Sequence, residues 1–224
     1  MPLLKKKIYN LTPSPKNLKA SEELFVIPET KECFRSYDEY IAKVFLYSSQ
    51  NWSCQYTGKS GLTYNDALSS EMEALKQLKT FPNHFKEPVL KCVHKAKGNM
   101  KEVTDKCMKF LTTHYCLQED VVIVNTKSRK KSPGVIIEVL KNVDVDADEK
   151  ENGGVNPAGT QVSRWKYSVQ LTGSDVVLKD LLPDEIKRKT KLPSKGLLKM
   201  FIKHKAERLP VDGKDIWLLK VNNL

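Results

Sequence analysis

The chain has 224 residues, 40% of them hydrophobic, with 10 Gly and 11 Pro. That balance suits one or two folded domains and excludes a disordered or collagen-like polymer. Lys and Arg total 38 against 27 Asp and Glu, a formal charge of +11, and such a surplus calls for a polyanionic partner or a solubility role.

The five cysteines, Cys33, Cys54, Cys92, Cys107 and Cys116, form no dense framework. Met1-Pro2-Leu3-Leu4 runs into Lys5-Lys6-Lys7 without an apolar signal core, and no apolar run approaches the roughly 18 residues of a membrane span. An intracellular protein with reduced thiols and no membrane partner is the expectation.

Residues 1–20, with Pro13, Pro15 and five lysines, read as an extended basic arm. Residues 21–118 read as mainly helical. Ser36-Tyr-Asp-Glu39 is a capping-box pattern ahead of Tyr40, Ile41, Val44, Phe45 and Tyr47 at helical spacing. Thr63-Tyr-Asn-Asp66 opens a second helix that ends before Phe81-Pro82. Pro88 is placed as the first residue of a third, stopped by Gly98. Asn99-Met-Lys-Glu102 caps a fourth, with Val103, Cys107, Phe110 and Leu111 on one side.

The period then changes. Over 119–182, strands are expected at Val121–Val124, Val135–Leu140, Arg164–Leu171 and Val176–Leu178, with an acidic mobile loop at 144–160. Four short strands suggest a small antiparallel barrel of SH3-like or chromo-barrel type. Over 183–224, a helix from Ser194 to about Arg208 buries Leu197, Leu198, Phe201 and Ile202, and a strand follows at Ile216–Val221. The expected class is α+β: a helical N-terminal domain, a barrel-like β unit and a C-terminal basic helix. The chain ends at Asn222-Asn223-Leu224 without a closing signal, as a fragment of a longer chain would.

The charge is unevenly placed. Lys187, Arg188, Lys189, Lys191, Lys195, Lys199, Lys203, Lys205 and Arg208 are opposed in their segment by Glu185 and Glu207 alone. Lys195, Lys199 and Lys203 step along the helix by about 6 Å each, a spacing that suits neighbouring phosphates. Lys127, Arg129, Lys130 and Lys131 form a second cluster on a turn between strands, where Ser128 and Ser132 offer hydroxyls. Lys91, Lys95 and Lys97 form a third, with Lys101 and His94 beside them, and the Lys5–Lys7 arm is a fourth. Each cluster also reads as a solvated charged face. No zinc-finger or helix-turn-helix code accompanies them, so binding through phosphates with little sequence selectivity is the expectation.

Catalytic parts are not visible. Gly58-Lys59-Ser60-Gly61 is too short for a Walker A loop, and no H-R-D or D-F-G kinase sequence occurs. The four histidines are scattered, no C-x-x-C half-site is present, and Asp144, Asp146, Asp148, Glu149 and Glu151 lack calcium-loop spacing. No catalytic residue, metal or cofactor is expected. Cys92, Cys107 and Cys116 read as core residues on apolar helix faces.

Several separate elements then recur in a distinctive order. They are Met1-Pro2-Leu3-Leu4, Phe34-Arg35, Tyr37-Asp38-Glu39-Tyr40, Trp52-Ser53-Cys54 with Thr57-Gly58, Leu62-Thr63-Tyr64, Ala67-Leu68-Ser69-Ser70-Glu71 and Phe81-Pro82. Over roughly 22–115 the chain resembles the WAC domain, found at the N terminus of large ISWI remodeller partners. Leu198-Lys199-Met200-Phe201-Ile202-Lys203-His204 resembles a helix further along in the same proteins, whereas 144–159 is shorter than their acidic insert.

The resemblance implies a nuclear, non-catalytic module that binds double-stranded linker DNA beside a nucleosome and supports nucleosome spacing. The ISWI-type ATPase would be held through other regions of the full-length protein. It also brings two alternatives, a histone-tail or protein-interaction module and an atypical tyrosine kinase acting on a histone. No kinase motif supports the latter. Trp165 and Tyr167 share one strand face and suit either an aromatic cage or the core, with the core favoured. Trp52 and Tyr56 are expected to anchor a turn in which Gly58 takes a positive φ.

Overall fold

Leu3 and Leu4, expected in an extended arm, form a strand instead. The computed structural model describes residues 1–17, 19, 21–124, 131–141, 165–211 and 214–220. They fall into two compact units, 1–81 with 196–205 and 82–195 with 206–224.

In the first unit, β1 (Leu3–Leu4) and β2 (Lys7–Ile8) form a hairpin, and β3 (Phe25–Val26) pairs with β4 (Cys33–Phe34). Helix α1 (Tyr37–Ser48) follows, then β5 (Trp52–Ser53), β6 (Ser60–Leu62) and α2 (Tyr64–Lys79). The sheet order β2-β1-β5-β6 ties the basic arm to the tryptophan strand, with Leu4 opposite Trp52. Apolar side chains at Leu3 and Leu4 give the arm something to bury, and the ladder satisfies their backbone.

Trp52 is fully buried, with its indole N–H donated to the Leu46 carbonyl at 2.9 Å. The rings of Tyr9, Tyr47 and Tyr64 surround it at 5.1, 5.4 and 4.9 Å. The Thr63 hydroxyl caps α2 by accepting from Asp66 N–H, as its sequence predicts. Ser36 precedes α1, but its side chain makes no capping bond. Gly58 takes φ +78° in the turn after Cys54, the left-handed geometry expected of it.

In the second unit, α3 (Asn83–Val93) begins earlier than predicted and carries Pro88 in its interior. Phe85, Val89 and Val93 recur at i, i+4, i+8 and are all buried. That continuous apolar stripe outweighs the one backbone bond the proline removes. Helix α4 (Met100–Thr113) has the full capping box: Asn99 accepts from Lys101 and Glu102 N–H, and Glu102 accepts from Asn99 N–H.

The β region is an open sheet, not a barrel. Strands β7 (Asp120–Val124), β8 (Lys131–Lys141), β9 (Trp165–Leu171), β10 (Val177–Leu181) and β11 (Ile186–Arg188) lie in the order β10-β9-β8-β7-β11. The barrel expectation fails because β10 and β11 remain separate edges among the described residues. Val121, Ile123, Ile136, Tyr167, Val169 and Ile186 form its buried core. Tyr167 is wholly inside that core, so the aromatic-cage reading of Trp165 and Tyr167 does not hold.

Helix α5 (Lys195–Lys205) ends earlier than expected, and the chain turns directly into β12 (Ala206–Val211), paired with β13 (Lys214–Leu219). Within the first unit, Phe201 stacks on Phe81 at 4.1 Å. In the second unit, the 95–98 segment runs along β13: Trp217 N–H donates to Ala96, and its indole N–H to the Gly98 carbonyl. No helix of the described residues is long and apolar enough to cross a membrane. The expected acidic loop at 144–160 lies outside the described residues.

Candidate nucleic-acid interface

Parity along β7 and β11 decides which charges reach solvent. Glu119, Val121 and Ile123 alternate inward, with Asp120, Val122 and Val124 between them. On β11, Ile186 points inward, so Arg188 does as well, while Lys187 and the following Lys189 are exposed. Register fixes the strand: Lys187 lies opposite Val122, Arg188 opposite Val121, and Lys189 N–H donates to Asp120 at 3.1 Å.

Arg188 is therefore not available to a phosphate. Its Nε pairs with the buried Glu119 carboxylate, and its other nitrogens donate to the Leu111 and His114 carbonyls at 2.6 and 2.7 Å. The guanidinium also stacks over the rings of Phe85 and Tyr115. Glu119 accepts from Cys116 N–H at 2.8 Å, so the pair is hydrogen-bonded on both sides. Burial, reinforced by the Glu119 charge, pushes the Cys116 thiol up to about 12. Inclusion of Arg188 among DNA-contacting residues is corrected: it is an internal anchor.

Two predicted clusters converge on one sheet face. Val122 pairs with Lys187 on one side and Pro133 on the other, and Lys131 lies two residues along β8, opposite Val124. Lys187 and Lys131 thus project from the same face, about 12 Å apart from strand spacing and rise. Lys127, Arg129 and Lys130 lie outside the described residues. Lys189 and Lys191 continue exposed beyond β11.

The third cluster sits elsewhere in the same unit. Lys95 and Lys97 are exposed on the segment that bridges to β13, while Lys91 ion-pairs with Glu87 one turn away at 2.7 Å. On the last helix, Lys195 pairs with Asp105 at 2.7 Å within the second unit. In the first unit, Lys199 is exposed, but Lys203 and Lys205 are half-buried. Burial pushes the Lys203 ammonium down from its ordinary value. Its Nζ lies so near Gly58 that an added Cβ there would stand 3.1 Å away. The lysine ladder is thus not uniform.

Sequence reasoning missed the inward Arg188–Glu119 pair, although the apolar parity of Ile186 and Val121 signalled it. It also missed the hairpin β12–β13, for which only Trp217 and the alternation after Pro210 offered a cue.

Residues 23–121 match a family of DNA-binding segments, described as the ATP-utilising chromatin assembly and remodelling N-terminal region. Through these residues the chain belongs to the WAC family. Relatives extend the likeness beyond the WAC domain. Human bromodomain adjacent to zinc finger domain protein 1A is 29% identical over 95% of this chain and 15% of its own length. Mouse tyrosine-protein kinase BAZ1B is 26% identical over 98% of this chain and 18% of its own. Imitation switch two complex protein 1 of Saccharomyces cerevisiae is 35% identical over 37% of this chain and 7% of its own. The chain thus spans under a fifth of these relatives. No solved structure matches it. The WAC match covers α1 to α4 with Lys91, Lys95 and Lys97, whereas Lys187 to Lys205 lie C-terminal to it.

Proposed function

We propose that this chain is a double-stranded DNA-binding module of a nuclear chromatin-remodelling subunit, which grips linker DNA beside a nucleosome through phosphates. A DNA-binding role accords with its family. The observation that carries the finer reading is the sheet face on which Lys187 and Lys131 project together while Arg188 is locked inward. Alternate residues of a strand stand about 6.8 Å apart, so Lys187 and Lys189 suit successive phosphates of one strand. Arg188 holds the strand between them rigid, so little side-chain and backbone ordering is left to binding.

Lys191, Lys95, Lys97 and Lys199 add charge to the field that steers the duplex. Lys127, Arg129 and Lys130 belong to the same reading through the turn that β7 and β8 flank. Lys91, Lys195, Lys203 and Lys205 take weaker parts, the first two shared with carboxylates and the others half-buried. Support of nucleosome assembly and spacing, and association with an ISWI-type ATPase through other regions of the full-length protein, follow from the relatives. Phosphoryl transfer has no part in this reading, although one relative carries a kinase in its name. A histone-tail role has no specific observation in its favour.

The test is a salt titration of binding to a 40-base-pair duplex with Lys187, Lys189 and Lys131 changed to Gln. Loss of two or three phosphate contacts lowers the slope of log K against log salt by about 0.9 for each. An unchanged slope removes this face from the interface. Absence of duplex binding by the unaltered chain removes the DNA reading altogether.

A further inference from the structure

Cys92, near the end of α3, and Cys107, midway along α4, belong to the same unit and take no part in the DNA-binding face. Their two side chains meet between the helices, where the thiols hydrogen-bond to one another. Cys107 is completely buried and Cys92 is half-exposed, and neither is in a disulfide. The surroundings are equally asymmetric: Lys106 stands near the pair, and Val89, Val93, Val103 and Leu111 fill the core around it.

We propose that Cys92 and Cys107 are an oxidation site, with Cys92 the thiol attacked by hydroperoxides and Cys107 the resolving thiol that joins α3 to α4 by a disulfide.

The chemistry follows from the asymmetry. The bond donated by Cys107, then the charge of Lys106, outweigh burial and bring the Cys92 thiol down to about 7. The same bond and its own burial push Cys107 up, so the deeper thiol keeps its proton. An accessible thiolate beside a protonated partner is the arrangement that peroxide sensing requires. The Cys92 thiolate attacks one peroxide oxygen. An S–O bond forms, the O–O bond breaks, and the departing oxygen takes a proton and leaves as water. Cys92 is thereby oxidised by two electrons to the sulfenic acid, and the peroxide is reduced. Cys107 sulfur then attacks Cys92 sulfur. The S–S bond forms as the S–O bond breaks, and the leaving hydroxide carries off the Cys107 proton as a second water. Cys33, the other half-exposed thiol, donates instead to the Lys31 carbonyl at 3.5 Å and is the internal control.

The experiment treats the whole chain with hydrogen peroxide, blocks the remaining thiols with N-ethylmaleimide and maps the peptides by mass. The expected product is a Cys92–Cys107 cross-linked peptide two hydrogens lighter, with Cys33 still alkylated. Cys107→Ser is expected to trap Cys92 as a sulfenic acid that dimedone captures, and Cys92→Ser to abolish both products. Should Cys107→Ser fail to fold, the unaltered chain still decides: Cys92 alkylation is expected to titrate with a midpoint near 7, several-fold faster than Cys33 at neutral pH. Equal reactivity of Cys92 and Cys33, or stepwise oxidation of Cys92 to the sulfinic acid with Cys107 left free, overturns the proposal.

Discussion

Arg188 and Glu119 form a fully internal ion pair in the sheet-bearing unit, linking the edge strand β11 to the turn before β7 and to the end of α4. The pair settles why a run of basic residues presents charge on alternate sides. Lys187 and Lys189 are outward because Arg188 is inward.

Arg188→Ala is therefore expected to destabilise the fold by about 3–5 kcal/mol, since it leaves the Glu119 carboxylate buried without its partner. Lys187→Ala, one residue away, is expected to cost less than about 0.5 kcal/mol, as surface changes do. Urea unfolding of both variants checks this. Equal midpoints sink the internal-anchor reading.

DNA affinity is expected to respond in the reverse order. Lys187→Gln reduces binding and its salt dependence, with the fold intact. Arg188→Lys, measured at a temperature where it remains folded, leaves the salt slope unchanged because that side chain reaches no phosphate. A fluorescence anisotropy titration at several salt concentrations reads both. A loss of slope in Arg188→Lys would return that residue to the interface.

Gly134 sits where β8 crosses close to β9. A Cβ added there would lie 2.6 Å from Val169 Cγ1 and 2.7 Å from the Gln170 carbonyl oxygen. The second neighbour is backbone and gives way poorly. Gly134→Ala is expected to cost about 1–3 kcal/mol as an overpacking change, read as a lowered thermal midpoint. Gly173→Ala has open space around the added Cβ, so its cost is confined to the positive φ, about 1 kcal/mol.

Acid sensitivity is expected to trace to Glu32. Burial raises its carboxyl, but hydrogen bonds from Tyr47, Thr12 and Thr30 prevail and hold it below the ordinary 4.5. A depressed folded value means that the stabilisation is complete above the unfolded value and is lost as pH falls through the folded one. Stability of the unaltered chain should therefore fall as pH drops below about 4.5. Glu32→Gln is expected to be less stable at pH 7 and to show a smaller fall across that window. Parallel pH profiles of the two chains would assign the acid transition to other groups.

Much of the local order was legible without tertiary information. The Thr63 and Asn99 caps, the β7, β8 and β9 strands, and Gly58 at positive φ all follow from short-range rules. Local rules erred where packing overrode them. Pro88 read as a helix start, yet Phe85 and Val89 carry α3 through it. The helix expected to reach Arg208 stops at Lys205, because pairing with β13 offers the next six residues a ladder that a helix would forgo.

Composition and motif order by themselves determined the charge surplus, the family and the class of partner, because these depend on which residues are present and in what sequence. Orientation was decided only in three dimensions. Whether Arg188 or Lys187 meets solvent depends on the register of β11 against β7, and whether Cys92 meets Cys107 depends on how α3 packs on α4. Both are non-local pairings, fixed by the burial of apolar faces far apart in the chain, and no local pattern specifies them.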